Sequence, residues 1–221
     1  MPNDTSLSLG PCPEDAKPAY PLSGMPALSF PRRSAYVPDD EACRALWDKY
    51  GMLDNIRAHS LLVARVATAL AVRAFSMGHD VNVPEVHASG LLHDIAKTYC
   101  VLHGGGHAQL GASWVVQETG NYAIAQGVFH HVYWPWKIPE DKTLLALPFF
   151  VLYADKRARH DEFVTLEDRF QDLLVRYGDT EQHRRGIRQS YWQGKAVETA
   201  LSKLLETPLH EDSSDCWRMV Q

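Results

Sequence analysis

Several absences narrow the chemistry open to this chain. Its 221 residues include only four cysteines, Cys12, Cys43, Cys100 and Cys216, and no two form a C-x-x-C pair. Neither a zinc knuckle nor a disulfide framework is indicated, and reduced thiols are expected. Basic residues are not in excess: 22 Lys and Arg stand against 27 Asp and Glu, for a net charge of −5. A stable nucleic-acid partner is therefore not expected, because phosphate neutralisation needs a surplus of cations. No run of about 18 uncharged apolar residues occurs, and the N-terminus has neither a basic nor an apolar leader region. The expectation is a soluble, cytoplasmic protein with no membrane partner. No useful stretch alternates polar and apolar residues, which argues against a sheet. Gly104-Gly105-Gly106 lacks the preceding strand and following Lys-Ser/Thr of a phosphate loop and reads as a linker.

Apolar residues at helical spacing are abundant, and they predict an all-α bundle of seven or eight helices. Residues 1–38 carry Pro11, Pro13, Pro18, Pro21, Pro26, Pro31 and Pro38 and no sustained apolar period, so they read as a proline-rich, disordered arm. Residues 39–206 read as one helical domain and 207–221 as a polar tail. The first helix starts behind an acidic cap at Asp39-Asp40 and breaks at Gly51. A longer one, from about Leu53 to Met77, carries Ile56, Leu62, Val66 and Leu70. Pro84 fits the first turn of the next, which runs through His93-Asp94 about two and a half turns in. Further helices are expected from His107 to about Glu118 and from Asn121 to His130-His131. Another runs from about Thr143 to Arg159, either kinked at Pro148 or starting after it. The last two span Thr165 to Tyr177 and Asp179 or Thr180 to about Glu206. Tyr133-Trp134-Pro135-Trp136 reads as a loop.

Polar residues inside these apolar helices carry the chemistry. In Leu91-Leu92-His93-Asp94-Ile95-Ala96-Lys97 an imidazole and a carboxylate sit side by side, and burying both is costly unless a cation or a hydrogen-bond network satisfies them. Similar settings hold His59, the pair His130-His131 and Asp155. Mixed nitrogen and oxygen ligands suit a divalent transition metal, and His59, His93, Asp94 and Asp155 on separate helices can converge on one ion. With His107 and one of His130 and His131 in reach, a second ion becomes plausible, with Asp94 bridging at the roughly 3.5–4 Å typical of dinuclear sites. Neighbours on a helix differ by about 100°, so one of the two histidines suffices. His131 is favoured, with His130 as an additional ligand if the helix end frays. The remaining histidines are expected to face solvent.

The order His59, His93-Asp94, Asp155 resembles the HD-domain superfamily of metal-dependent phosphohydrolases over roughly residues 53 to 160, and His107 and His131 resemble its dinuclear branch. The nearest pattern is the bacterial HD group that hydrolyses diadenosine tetraphosphate. It is similar in Leu92 to Lys97, in His107 before Gly111-Ala112, in Ile124 to His131 and in Ala154-Asp155-Lys156. The Gly-Tyr-Pro of the cyclic di-GMP phosphodiesterases is absent, and so that activity is not expected. The resemblance implies an HD-type bundle and a two-ion centre of iron, manganese or another divalent metal, with His59, His93, Asp94, His107, His131 and Asp155 as ligands. A phosphate substrate, in particular a nucleotide, follows from it, with a homodimer left open. Catalytic roles are expected for Asp94 and for Lys97, whose ammonium can bind a phosphate oxygen. Arg157 and Arg159 are candidates for further phosphates, and Trp134 or Trp136 for stacking on a base. The alternatives are a dinuclear iron oxygenase with the same ligand order and a non-catalytic nucleotide-binding sensor.

Overall fold

The computed structural model describes residues 8–11 and 36–210, so most of the proline-rich arm and the tail beyond His210 lie outside the described residues. Helices α1 (Asp40–Lys49), α2 (Asp54–Ser76), α3 (Val83–Leu92), α4 (Lys97–His103), α5 (His107–Thr119) and α6 (Tyr122–His130) come first. They are followed by α7 (Leu147–Lys156), a two-residue hairpin of β1 (Ala158–Arg159) and β2 (Glu162–Phe163), α8 (Leu166–Tyr177) and α9 (Glu181–Leu204). Polar caps set many of the starts. Asp39, Asn82, Asn121, Thr165 and Thr180 each accept a hydrogen bond from a backbone N–H in the first turn that follows, and so satisfy donors the helix leaves open.

The fold is an all-α bundle built around α2. One face of α2 packs Val63, Val66, Ala67 and Leu70 into a cluster with Phe149, Phe150, Leu152, Phe170 and Leu201. Ala64, on its other side, joins Trp47, Leu91, Leu92, Ile95, Val115, Ile124 and Val128. Two-sided burial explains why α2, among the described residues, has the length and hydropathy of a membrane span, while 56% of its most apolar window is buried inside the protein. The α2–α3 crossing is closest at Gly90, where an added Cβ would sit 2.6 Å from the Ala64 Cα.

Several local expectations are corrected. His93 and Asp94 do not lie mid-helix: α3 ends at Leu92, residues 93–96 form tight turns, and α4 restarts at Lys97. The turn is closed by Ile95 N–H to Leu92 O at 3.1 Å and Lys97 N–H to Asp94 O at 2.8 Å. Pro148 sits in the first turn of α7 and kinks nothing, since that turn needs no donor from it. Arg159 falls on β1 rather than on a helix. Leu9, from the arm, is buried in the core, with Ser8 O accepting from Arg188 Nε at 2.8 Å. Leu209, from the expected polar tail, is also fully buried, and its carbonyl accepts from Arg157.

Candidate metal centre

Three helix C-termini meet in the centre of the bundle. His93 is the C-cap of α3, His131 is the C-cap of α6, and Asp155 is the penultimate residue of α7. Helix ends leave unpaired carbonyls and carry partial negative charge, so a cation is favoured where several converge. Two of these carbonyls also orient the histidines. His93 Nδ1 donates to Gly90 O at 2.8 Å and His131 Nδ1 to Val128 O at 2.7 Å, the same reach back by three residues in both helices. His59, in the second turn of α2, donates from Nδ1 to His160 O at 3.0 Å. A carbonyl can only accept, so each Nδ1 carries a proton and Nε2 is the ring atom turned inward, as in metal-bound histidines.

The Nε2 atoms face carboxylates and one another. His59 Nε2 lies 3.0 Å from Asp155 Oδ1. His93 Nε2 is 3.7 Å from Asp94 Oδ2 and 3.8 Å from Asp155 Oδ1. His107, the first residue of α5, places Nε2 3.2 Å from Asp94 Oδ1 and 3.1 Å from His131 Nε2, which is itself 3.5 Å from the same carboxylate oxygen. Two groups of donor atoms each lie within 4.8 Å of one another: His59, His93 and Asp155, and His93, Asp94 and His131. His93 keeps right-handed helical dihedrals, and the chain after it tightens into i→i+3 turns, which carry the adjacent Asp94 to the same centre.

Electrostatics favour positive charge at this point. Burial pushes the His93 imidazole down to about 4 and His107 to about 3, so both are unprotonated at neutral pH. Burial alone would raise Asp94, but His93, Lys97 and the contact with His131 together hold the carboxyl well below its usual range. Asp155 is likewise held low against burial, chiefly by its hydrogen bond with His59. Burial would lower His59, but that bond together with the charges of Asp155 and Asp94 raises it instead. His93 Nε2 and Asp94 Oδ1 are buried without a hydrogen-bond partner. Orphaned lone pairs of this kind are costly unless a cation takes them. The donor set, imidazole nitrogen with carboxylate oxygen, therefore fits a divalent transition metal.

Around the centre, Lys97 opens α4 with Nζ 3.6 Å from Asp94 Oδ1 and 38% of its side chain exposed, so it flanks the mouth. The other expected contacts are placed differently. Arg157 is fully buried and donates to Val164 O at 2.6 Å, to Tyr153 and to Leu209 O, with Glu198 beside it at 3.4 Å. It is structural and closed to a phosphate. Arg159 pairs with Glu162 across the hairpin at 2.9 Å. Trp134 is fully buried, edge-on to His130 and Trp136 and tilted against Phe149, so it cannot stack on a base. Trp136, half-buried, packs on His130 and Trp134. His130 points into this aromatic group, not toward the six converging side chains, and its burial pushes the imidazole down to about 4.

The sequence reading missed the three orienting carbonyls, the hairpin and Lys156. One of the carbonyls had a sequence signal, the histidine pair that closes α6. The third is supplied by His160, a non-glycine residue at φ 57° in the turn between β1 and β2, and two-residue strands leave no pattern to read. Among known families, a model described as HD domain matches residues 56–172. No curated protein and no solved structure gives a significant match.

Proposed function

Because the chain belongs to the HD domain family, in general one of metal-dependent phosphohydrolases, we propose that it hydrolyses a phosphate ester or anhydride, in particular of a nucleotide. One observation carries the reading: three helix C-termini present tethered imidazoles and low-pKa carboxylates to a common point, with His93 Nε2 and Asp94 Oδ1 unpartnered there. In this reading His59, His93 and Asp155 would hold one divalent ion, and Asp94, His107 and His131, with His93 beside them, would hold a second. Such ions, when bound, supply Lewis acidity that brings the ionisation of water close to neutral pH. Asp94, ionised at neutral pH, accepts a hydrogen bond from the attacking water and fixes its direction. The Lys97 ammonium, at the mouth, binds a non-bridging phosphoryl oxygen and stabilises the charge that develops in the transition state.

The test is turnover after reconstitution with Mn²⁺ or Fe²⁺ against mononucleotides, dinucleoside polyphosphates such as diadenosine tetraphosphate, and cyclic dinucleotides. Hydrolysis that disappears in Asp94→Ala supports the proposal. Tight metal binding with no cleavage across the panel turns the reading to a nucleotide sensor. A visible charge-transfer band under oxygen that responds to an organic substrate turns it to an oxygenase.

A further inference from the structure

Lys156 closes α7 immediately after Asp155 and is buried to 3% exposure. An ammonium so placed is costly unless it holds something in position. Its Nζ donates to the carbonyl of Val132 at 2.9 Å, the residue immediately after His131. The lysine stem reaches that carbonyl across α9 at Gly194, where an added Cβ would stand 3.1 Å from the Lys156 Cδ, so a glycine leaves the path open. Two residues further along the same segment, Gln193 of α9 grips the Trp134 backbone on both sides. Its Oε1 accepts from Trp134 N–H at 2.9 Å, and its Nε2 donates to Trp134 O at 2.6 Å. The chain leaving α6 is thus fixed at residues 132 and 134 by side chains from α7 and α9.

We propose that Lys156 and Gln193 are positioning residues that set His131 against His107 and Asp94, and so determine whether the second metal position forms. The proposal rests on the two-ion reading above. It adds that α9, which begins at Glu181, beyond the matched residues 56–172, completes the centre of this chain. His131 depends on the clamp because its ring tether to Val128 O fixes its rotation, while the position of the ring follows the backbone at the end of α6. The remaining ligands sit on elements the clamp does not touch, except Asp155, which α7 holds through the core.

Manganese titration of the full chain, stripped by chelator and followed by calorimetry and electron paramagnetic resonance, separates the possibilities. The wild type is expected to take two Mn²⁺. Lys156→Met and Gln193→Leu should each keep one and bind the second about 10- to 100-fold more weakly, the range for residues that orient ligands. Charge alone predicts the opposite sign for Lys156→Met, since removing a cation beside Asp155 tightens cation binding. Gln193→Leu alters no charge and serves should Lys156→Met fail to fold, as thermal melting will reveal. A folded variant that binds the second ion as tightly as wild type, or more tightly, overturns the proposal. A wild type that binds fewer than two ions overturns the two-ion reading, and this inference with it.

Discussion

A single ammonium distinguishes a site that merely holds metal from one that handles phosphate. Lys97 contacts Asp94 yet keeps more than a third of its side chain in solvent, the disposition of a cation that greets an anionic ligand. If the chain is the phosphohydrolase proposed above, Lys97→Ala should lower its turnover by about 10²-fold, the scale for removing one group aimed at developing charge. Metal stoichiometry should stay at the wild-type value, because a neighbouring cation can only weaken metal binding. Steady-state kinetics paired with a metal titration check this, and an unchanged rate would remove Lys97 from the chemistry. The six side chains that converge were legible in the sequence because polar residues within apolar helices demand partners. Arg157, Trp134 and His130 were misread for a different reason: nearness along the chain says nothing of direction. Arg157 follows Asp155 by two residues, yet it turns into the core toward Glu198 and Leu209.

Among the elements, the α2–α3 pair sets the distance between His59 and His93. Gly90 permits that crossing and also supplies the carbonyl that orients the His93 ring. An alanine there would press its methyl on the Ala64 Cα, a backbone atom that cannot rotate away. Gly90→Ala should cost about 1–3 kcal/mol, as overpacked cores do, and should weaken metal binding as α2 and α3 move apart. Urea denaturation with Mn²⁺ titration measures both effects. Ala64→Gly should not rescue the variant, because the nearest atom is the Cα rather than the methyl; rescue would show that the crossing can adjust. The helices themselves were legible through caps such as Asp39, Asn121 and Thr165 and through the apolar period. The break between α3 and α4 was not, since residues 91–97 hold no proline or glycine to mark it. It arises from tertiary demand, with His93 and Asp94 both required at one point and Gly90 O taken by a ring nitrogen.

For the molecule as a whole, the centre is where unpartnered buried atoms of adjacent ionisable side chains, His93 Nε2 and Asp94 Oδ1, fall together among the described residues. Away from the centre, the buried Arg157 and Glu198 compensate each other at 3.4 Å, and Tyr153 donates to Glu198 at 3.0 Å. At the centre, imidazole nitrogens and carboxylate oxygens face each other at 3.0 to 3.8 Å. An ion that binds only the folded state must then stabilise the whole fold through linkage, because the ligands come from α2, α5, α7 and the ends of α3 and α6 and are scattered in the unfolded chain. At free Mn²⁺ one hundred times the dissociation constant, one site contributes about 2.7 kcal/mol. For a chain of this size that corresponds to a rise in melting temperature of roughly 5–10 °C. Differential scanning calorimetry of chelator-treated protein, with and without Mn²⁺, gives the shift directly. Asp155→Ala should abolish most of it while leaving the apolar clusters around α2 intact, since Asp155 belongs to neither of them. A melting temperature indifferent to both metal and chelator would mean that the converging side chains bind no ion, and that their burial is compensated by hydrogen bonds among themselves.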